Sequence, residues 1–97
     1  MPHVVVSRRA FVGILRCRRF LEARNKRAAQ EASAIIDRQL LRLKTQPEIG
    51  RLLPKSNDVR ELVIPFGNAG YVARYRYAPD DDLVLVTGFR HQREAGY

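Results

Sequence analysis

Arg90, His91, Gln92, Arg93 and Tyr97 crowd into one short stretch that directly follows the apolar run Leu83–Val86. Each brings a distinct chemistry. A guanidinium pairs bidentately with a carboxylate or a phosphate. An imidazole, with an unperturbed pKa of about 6.5, exchanges protons near neutrality. A phenol donates or accepts a hydrogen bond. Together they suit anion binding coupled to proton transfer. A buried strand that delivers such groups to one rim is building a site there. The competing reading is a solvated strand end whose charges pair with Glu94 or with Asp80–Asp82.

The remaining chain reads as the scaffold for that strand. His3–Val6 is a β-branched run and predicts a first strand. Ser7 then caps a helix whose apolar stripe is Phe11, Ile14, Cys17 and Phe20/Leu21. Gly13 lies inside it and costs roughly 1 kcal/mol against alanine, so either it is simply tolerated or another backbone passes close by. Asn25 breaks the pattern and caps a second helix, Lys26–Lys44, with Ala28, Ala29, Ala32, Ile35, Ile36, Leu40 and Leu43 on one stripe. So short a joint makes the two helices an antiparallel hairpin. Pro47 ends the second helix.

Residues 48–58 form a loop in which Ile49, Leu52 and Leu53 are expected to tuck onto the core. The apolar period then changes from 3.6 to 2. Val59–Phe66 is a strand, and Pro65 argues for an edge or a terminus. Gly67–Gly70 is a turn. Tyr71–Tyr77 puts Tyr71, Ala73, Tyr75 and Tyr77 on one face and Val72, Arg74 and Arg76 on the other. Ala78–Asp82 turns again, and Leu83–Phe89 is the last strand. The order β-α-α-β-β-β predicts a single α+β domain over residues 1–97, a helical hairpin packed on a small, mostly antiparallel sheet.

The net charge of +8 calls for an acidic partner. It is unevenly placed: residues 1–47 hold eleven Lys/Arg against three Asp/Glu, and residues 48–97 hold seven of each. One cysteine, Cys17, excludes an internal disulfide and reads as a small buried hydrophobe. Two distant histidines and no cysteine cluster give no metal ligand set, and no cofactor is expected. No apolar run approaches the ~18 residues of a membrane span. Ser7-Arg8-Arg9-Ala10-Phe11 looks like the start of a twin-arginine export signal, but Arg16, Arg18 and Arg19 interrupt the apolar segment that must follow. The expected location is cytoplasmic.

The chain resembles the RelE/ParE superfamily of type II toxins, the plasmid-stabilisation toxins. The residues that carry the likeness are Asn25 between the helices, Pro47–Arg51, Val59–Val63 with Ile64–Gly67, Gly70–Tyr75 and Arg90–Tyr97. The likeness spans essentially the whole chain. It implies a small toxin wrapped by a cognate antitoxin, which allows a toxin–antitoxin hetero-oligomer. It also implies one of two activities. RelE-like members cleave messenger RNA on the ribosome, and ParE-like members poison DNA gyrase without being nucleases.

Cleavage through the 2′-hydroxyl needs a proton acceptor, cations at the phosphate and a proton donor for the leaving oxygen. Under the RelE-like reading the resemblance implies Arg74, Arg90, His91 and Tyr97 as the catalytic set, acting without metal. That set is incomplete. Glu61 and Val63 stand where the strongest nucleases carry lysines, Val72 stands where they carry an arginine, and Tyr97 falls about one residue late. The first reading is therefore ParE-like gyrase inhibition, carried over from family likeness alone. The alternative is the ribosome-dependent endoribonuclease, and a basic nucleic-acid-binding module is more remote. Arg16, Arg19, Arg60, Arg76 and Arg93 are the residues expected to meet the target or the antitoxin. Tyr71, Tyr75 and Tyr77 are expected to be core rather than base-stacking platforms.

Overall fold

The computed structural model describes residues 1–97. Strand β1 (His3–Val6) leads into helix α1 (Arg8–Glu22), helix α2 (Lys26–Leu41), and strands β2 (Arg51–Leu52), β3 (Val59–Phe66), β4 (Ala69–Ala78) and β5 (Leu83–His91). The five strands form one sheet in the order β1-β5-β4-β3-β2. Only β1 and β5 run parallel; the other neighbours are antiparallel. The fold is the expected α+β arrangement with one strand more.

Both helix starts follow from their caps. The Ser7 Oγ accepts from the Ala10 amide at 3.1 Å, and the Asn25 Oδ1 accepts from the Ala28 amide at 3.0 Å. Each satisfies one of the amides that a first helical turn leaves free. α2 stops three residues earlier than its apolar period suggests. Arg42–Lys44 tightens into a 3-10 turn that still buries Leu43.

α1 meets the sheet closely. A Cβ on Gly13 would lie 2.3 Å from the carbonyl oxygen of Phe89, so glycine is what lets the helix rest on the β5 backbone. The face of α1 that faces the core is therefore Ala10, Gly13 and Cys17, with Ile14 and Leu21 packed alongside. Phe11 and Phe20 stay more than half exposed, contrary to the stripe expected from sequence. Ala10 and Gly13, which lacks a side chain, set the helix-to-sheet distance, and larger side chains to either side are pushed off the contact.

The core lies between the hairpin and one face of the sheet. Ile36, Leu40 and Leu43 from the helical layer meet Leu62, Ile64, Tyr71, Tyr75, Val84, Val86 and Phe89. Tyr77 packs against this cluster from its margin. Burying one such side chain is worth about 1.5–3 kcal/mol.

Three details position the groups discussed below. First, the β4–β5 register slips between Arg74 and Tyr75: Arg74 faces Gly88 but Tyr75 faces Val86. Thr87 is the extra residue, and its Oγ1 donates to the Arg74 carbonyl at 3.3 Å. The bulge switches the parity of β5, so that Val84, Val86, Phe89 and His91 share the helix-side face with Tyr71, Ala73, Tyr75 and Tyr77 while Gly88 and Arg90 share the open face with Arg74.

Second, the loop after α2 is not pinned by its apolar residues. Ile49 and Leu52 are exposed and Leu53 is half-buried, in contrast to the expectation that they tuck onto the core. Polar ties hold it instead. The Tyr75 Oη accepts from the Gly50 amide at 2.8 Å, and Arg60 Nη1 donates to the carbonyls of Gly50 and Glu48 at 2.8 and 3.1 Å. A side chain on Gly50 would collide with the Tyr75 ring.

Third, the β3–β4 hairpin closes tightly. Phe66 pairs with Ala69 across a two-residue loop in which Gly67 takes a φ of +61°. β2 pairs only with Arg60 and Glu61, so Pro65 lies on the part of β3 that is an edge.

Candidate functional site

The open face of the sheet carries a cluster built from four parts of the chain. β3 supplies Glu61, β4 supplies Arg74 opposite it, and β5 supplies Arg90 through the bulge. Residues 92–97 then fold back so that the Tyr97 ring lies on Gly88; a Cβ there would meet it at 2.6 Å. The Arg74 and Arg90 guanidiniums lie 4.4 and 5.1 Å from the centre of that ring.

Glu61 is the hub. Its Oε2 accepts from the Tyr97 Oη at 2.7 Å and from Arg74 Nη2 at 3.0 Å, and its Oε1 lies 3.7 Å from Arg51 Nη2. Only 12% of its side chain is exposed. Burial pushes the Glu61 carboxyl up, but the hydrogen bonds from Tyr97 and Arg74 and the charges of Arg74 and Arg90 outweigh it and hold the group below the usual carboxylate range.

Arg90 is committed elsewhere. Its Nη1 donates to the carbonyls of His91, Gln92 and Glu94, each at 3.1 Å, and so shapes the turn after β5. Arg74 Nε and Arg90 Nε are buried donors without a partner.

Tyr97 is held in its neutral form. Burial, then the hydrogen bond to Glu61 and the Glu61 charge, push its phenol up to about 12. Since the folded value lies above the unfolded one, the contact stabilises the fold below pH 10 and is lost as pH rises from 10 toward about 12. Tyrosinate absorbance, taken as the difference between wild type and Tyr97→Phe, should therefore show one midpoint near 12. A midpoint near 10 would mean the ring is not held against Glu61.

The other face holds a second feature, a groove of about 590 Å³ between α1 and the end of β5. Its floor is apolar, with Leu21, Phe66 and Tyr71, and Arg16 and Arg93 stand among its lining residues. His91 belongs here. Its ring meets Tyr71 edge-on at 5.6 Å, and its Nδ1 accepts from the Arg93 amide at 3.1 Å. Glu94 bonds to α1: Oε2 lies 3.0 Å from Arg16 Nη2, and Oε1 accepts from the His91 amide at 3.0 Å and from the Cys17 thiol at 3.7 Å. Burial, followed by the neighbouring Glu94 charge, pushes the Cys17 thiol up to about 11, which leaves it protonated and inert at neutral pH.

The residues singled out from sequence thus divide. Arg74, Arg90 and Tyr97 converge on the open face, whereas His91 points to the opposite one, because adjacent strand residues alternate. Arg16 and Arg93 border the groove. Arg19 lies exposed on α1. Arg76 is on the open face but paired with Asp58, 2.6 Å between Nη2 and Oδ2. Arg60 is the clamp on the loop before β2. Sequence reading missed the roles of Arg51 and Gly88, and it offered Glu94 as a partner for the charges at the end of the last strand rather than for Arg16 of α1. For Glu61 the signal was available, since its parity in β3 matches that of Arg74 in β4. No group of three or more His, Cys, Asp or Glu side chains is placed to hold a metal ion, and no helix is long and apolar enough to cross a membrane.

Comparison with known proteins agrees with this architecture. Residues 4–96 match the family model described as the ParE toxin of the type II toxin-antitoxin system, parDE. The chain is also 35% identical over 94 residues to a protein named Toxin RelE3 from Caulobacter vibrioides, an alignment covering 97% of this chain and 98% of that protein.

Proposed function

The chain belongs to the ParE toxin family of type II toxin–antitoxin systems, and from that premise we propose that it acts as a protein inhibitor of DNA gyrase rather than as a nuclease. Membership implies a cognate antitoxin that neutralises it. Gyrase is the target that the ParE-like side of the family implies.

The observation that carries the non-nucleolytic reading is the position of Glu61. A carboxylate hydrogen-bonded to Tyr97 and Arg74 stands in the middle of the only cation–phenol cluster on the open face. A phosphodiester about 5 Å from it would be repelled by about 3 kcal/mol at an effective dielectric constant near 20. The phenol beside it is neutral and already spent as a donor. The imidazole that could have served as the acid or base faces the other way. Cations are present, but neither a free proton acceptor nor an open phosphate seat accompanies them.

Charge and shape support one seat for the antitoxin. We place an apolar, acid-flanked antitoxin segment in the groove between Arg16 and Arg93, above Leu21, Phe66 and Tyr71. The second reading, RNA cleavage, draws on the convergence of Arg74, Arg90 and Tyr97 and on the name of the Caulobacter relative.

The test is direct. Toxin freed of antitoxin, added to gyrase, ATP and relaxed plasmid, should abolish supercoiling or trap a cleaved plasmid complex, and equimolar antitoxin should restore activity. Unimpaired supercoiling at a large excess of toxin would overturn the gyrase assignment.

A further inference from the structure

The cations of this chain are paired unevenly. In the sheet half, Arg51 and Arg74 share Glu61, Arg60 pairs with Glu48, and Arg76 pairs with Asp58. Of the eleven Lys/Arg in residues 1–47, only Arg16 and Arg27 have a carboxylate partner. The unpaired charge is densest at the joint between α1 and α2. Residues 18–27 hold Arg18, Arg19, Arg24, Lys26 and Arg27 against one acid, Glu22. All five cations are exposed.

This arrangement works against the fold. Lys26 and Arg27 stand at the start of α2, whose first turn has no acid. The aligned peptide dipoles are positive there, so acids stabilise that end and cations weaken it. Arg27 lies 3.6 Å from Glu31, but with 90% and 60% of their side chains exposed the pair contributes little. Arg24 is held in place: its Nη1 donates to the Phe20 carbonyl at 3.2 Å, and its guanidinium lies 3.7 Å from the centre of the Phe20 ring. A charge kept at the joint with no internal acid to meet it is matched by a polyanion from outside.

The joint also lacks what a protein partner uses. Its two large apolar side chains, Phe20 and Leu21, line the groove. The remaining surface is cationic and offers no apolar centre of the kind a protein interface is built around. A phosphate backbone needs no such centre, because released counterions drive the binding. We propose that the α1–α2 joint, through Arg18, Arg19, Arg24 and Lys26, docks on the phosphate backbone of duplex DNA, apart from both the groove and the open-face cluster. The choice of DNA over RNA rests on the gyrase reading; a toxin seated on gyrase would then hold the bound duplex as well as the enzyme.

Fluorescence anisotropy of a short labelled DNA duplex, titrated with antitoxin-free toxin and no gyrase, tests this. Neutralising about four phosphates gives a slope of log K against log salt near about −3.5, a loss of roughly a hundredfold between about 50 and 200 mM salt. Arg19→Gln combined with Lys26→Gln should lower affinity at least tenfold at the low-salt end and flatten the slope by about 2. Glutamine is about as good a helix former as either residue, and losing the Lys26 charge relieves the start of α2, so thermal stability should hold or rise. Lys44→Gln combined with Lys55→Gln removes the same charge from exposed positions elsewhere, Lys44 lying about 25 Å along the helical axis from Lys26. That pair should change affinity less than twofold. Equal losses in the two pairs would mean that net charge alone binds, and the proposal would be wrong. Absent binding at low salt, or duplex RNA bound ten times more tightly than DNA, would also overturn it. So would an Arg19→Gln/Lys26→Gln protein that loses antitoxin affinity but keeps its DNA affinity. Any of these failures leaves the gyrase reading standing, and lost gyrase inhibition in the supercoiling assay would leave DNA binding standing.

Discussion

Replacing Glu61 with alanine is expected to destabilise the folded chain by about 2–3 kcal/mol, the usual worth of hydrogen bonds to a charged group with partners left behind. Tyr97 Oη loses its only hydrogen-bond partner, Arg74 Nη2 loses its carboxylate, and the Arg74 and Arg90 guanidiniums beside the ring lose a nearby counter-charge. Burial of the carboxylate opposes this, yet its folded-state pKa is below the unfolded one, so the pairing wins. The sign gives a second check. A depressed carboxylate contributes stability above the unfolded value near 4.5, and that contribution is lost as pH falls through the folded value. Glu94 is depressed as well: burial raises it, but the His91 amide and Arg16 outweigh the burial. Wild type should therefore weaken below about pH 4.5 more steeply than Glu61→Ala. Urea unfolding measures both effects. A double-mutant cycle with Tyr97→Phe should show coupling of about 1 kcal/mol or more. A loss under 0.5 kcal/mol would mean that the cluster is only a loose surface arrangement.

Gly13→Ala sets two effects of opposite sign against each other. Helix propensity alone favours alanine by about 1 kcal/mol. The added Cβ, however, would stand 2.3 Å from the Phe89 carbonyl oxygen, backbone against backbone, with no flexible side chain to yield. Either α1 lifts from β5 or the strand is displaced, and overpacking of this kind costs about 1–3 kcal/mol or more. The expected net loss is about 2 kcal/mol, and bulkier Gly13→Val should exceed it. Because β5 carries Arg90 and leads straight into residues 92–97, antitoxin binding and toxicity should weaken with stability. A Gly13→Ala protein more stable than wild type would show that the helix does not rest on the strand as described.

These contacts explain what was legible beforehand and what was not. Ser7 and Asn25 mark helix starts by chemistry local to a few residues, and both cap as their types require. The alternation of Tyr71, Ala73, Tyr75 and Tyr77 is equally local, and the core takes that face. β5 is different. Period-2 reasoning carries Val84 and Val86 to one face and Phe89 to the other, yet all three are buried together, because one extra residue at Thr87 resets the parity. Gly88, next to Thr87, is the one local hint, because a glycine inside a strand marks a bulge or a close approach. Strand alternation divides Arg90 from His91, a pair that sequence placed in one set, and the slip decides that Arg90 takes the open face and His91 the groove. Phe11 and Phe20 mislead because apolar spacing does not say which residue sets the approach distance; Gly13 does, from an atom of β5 far along the chain. Tyr97 and Glu61 are 36 residues apart, and only the completed sheet brings them together. β2 is two residues long and too short for any periodicity.

We propose that the open-face cluster, in which the Glu61 carboxylate is tied to Tyr97 and Arg74, is not a nuclease site. This is tested most directly by giving antitoxin-free toxin to translating ribosomes with a defined message and mapping the 5′ ends of the RNA. Intact message is expected at toxin concentrations that stop gyrase. Message cut at the ribosome, with cutting abolished by Arg90→Ala or Arg74→Ala, would contradict it. It would mean that the target RNA displaces Glu61 and Tyr97 and uses the arginines they cover.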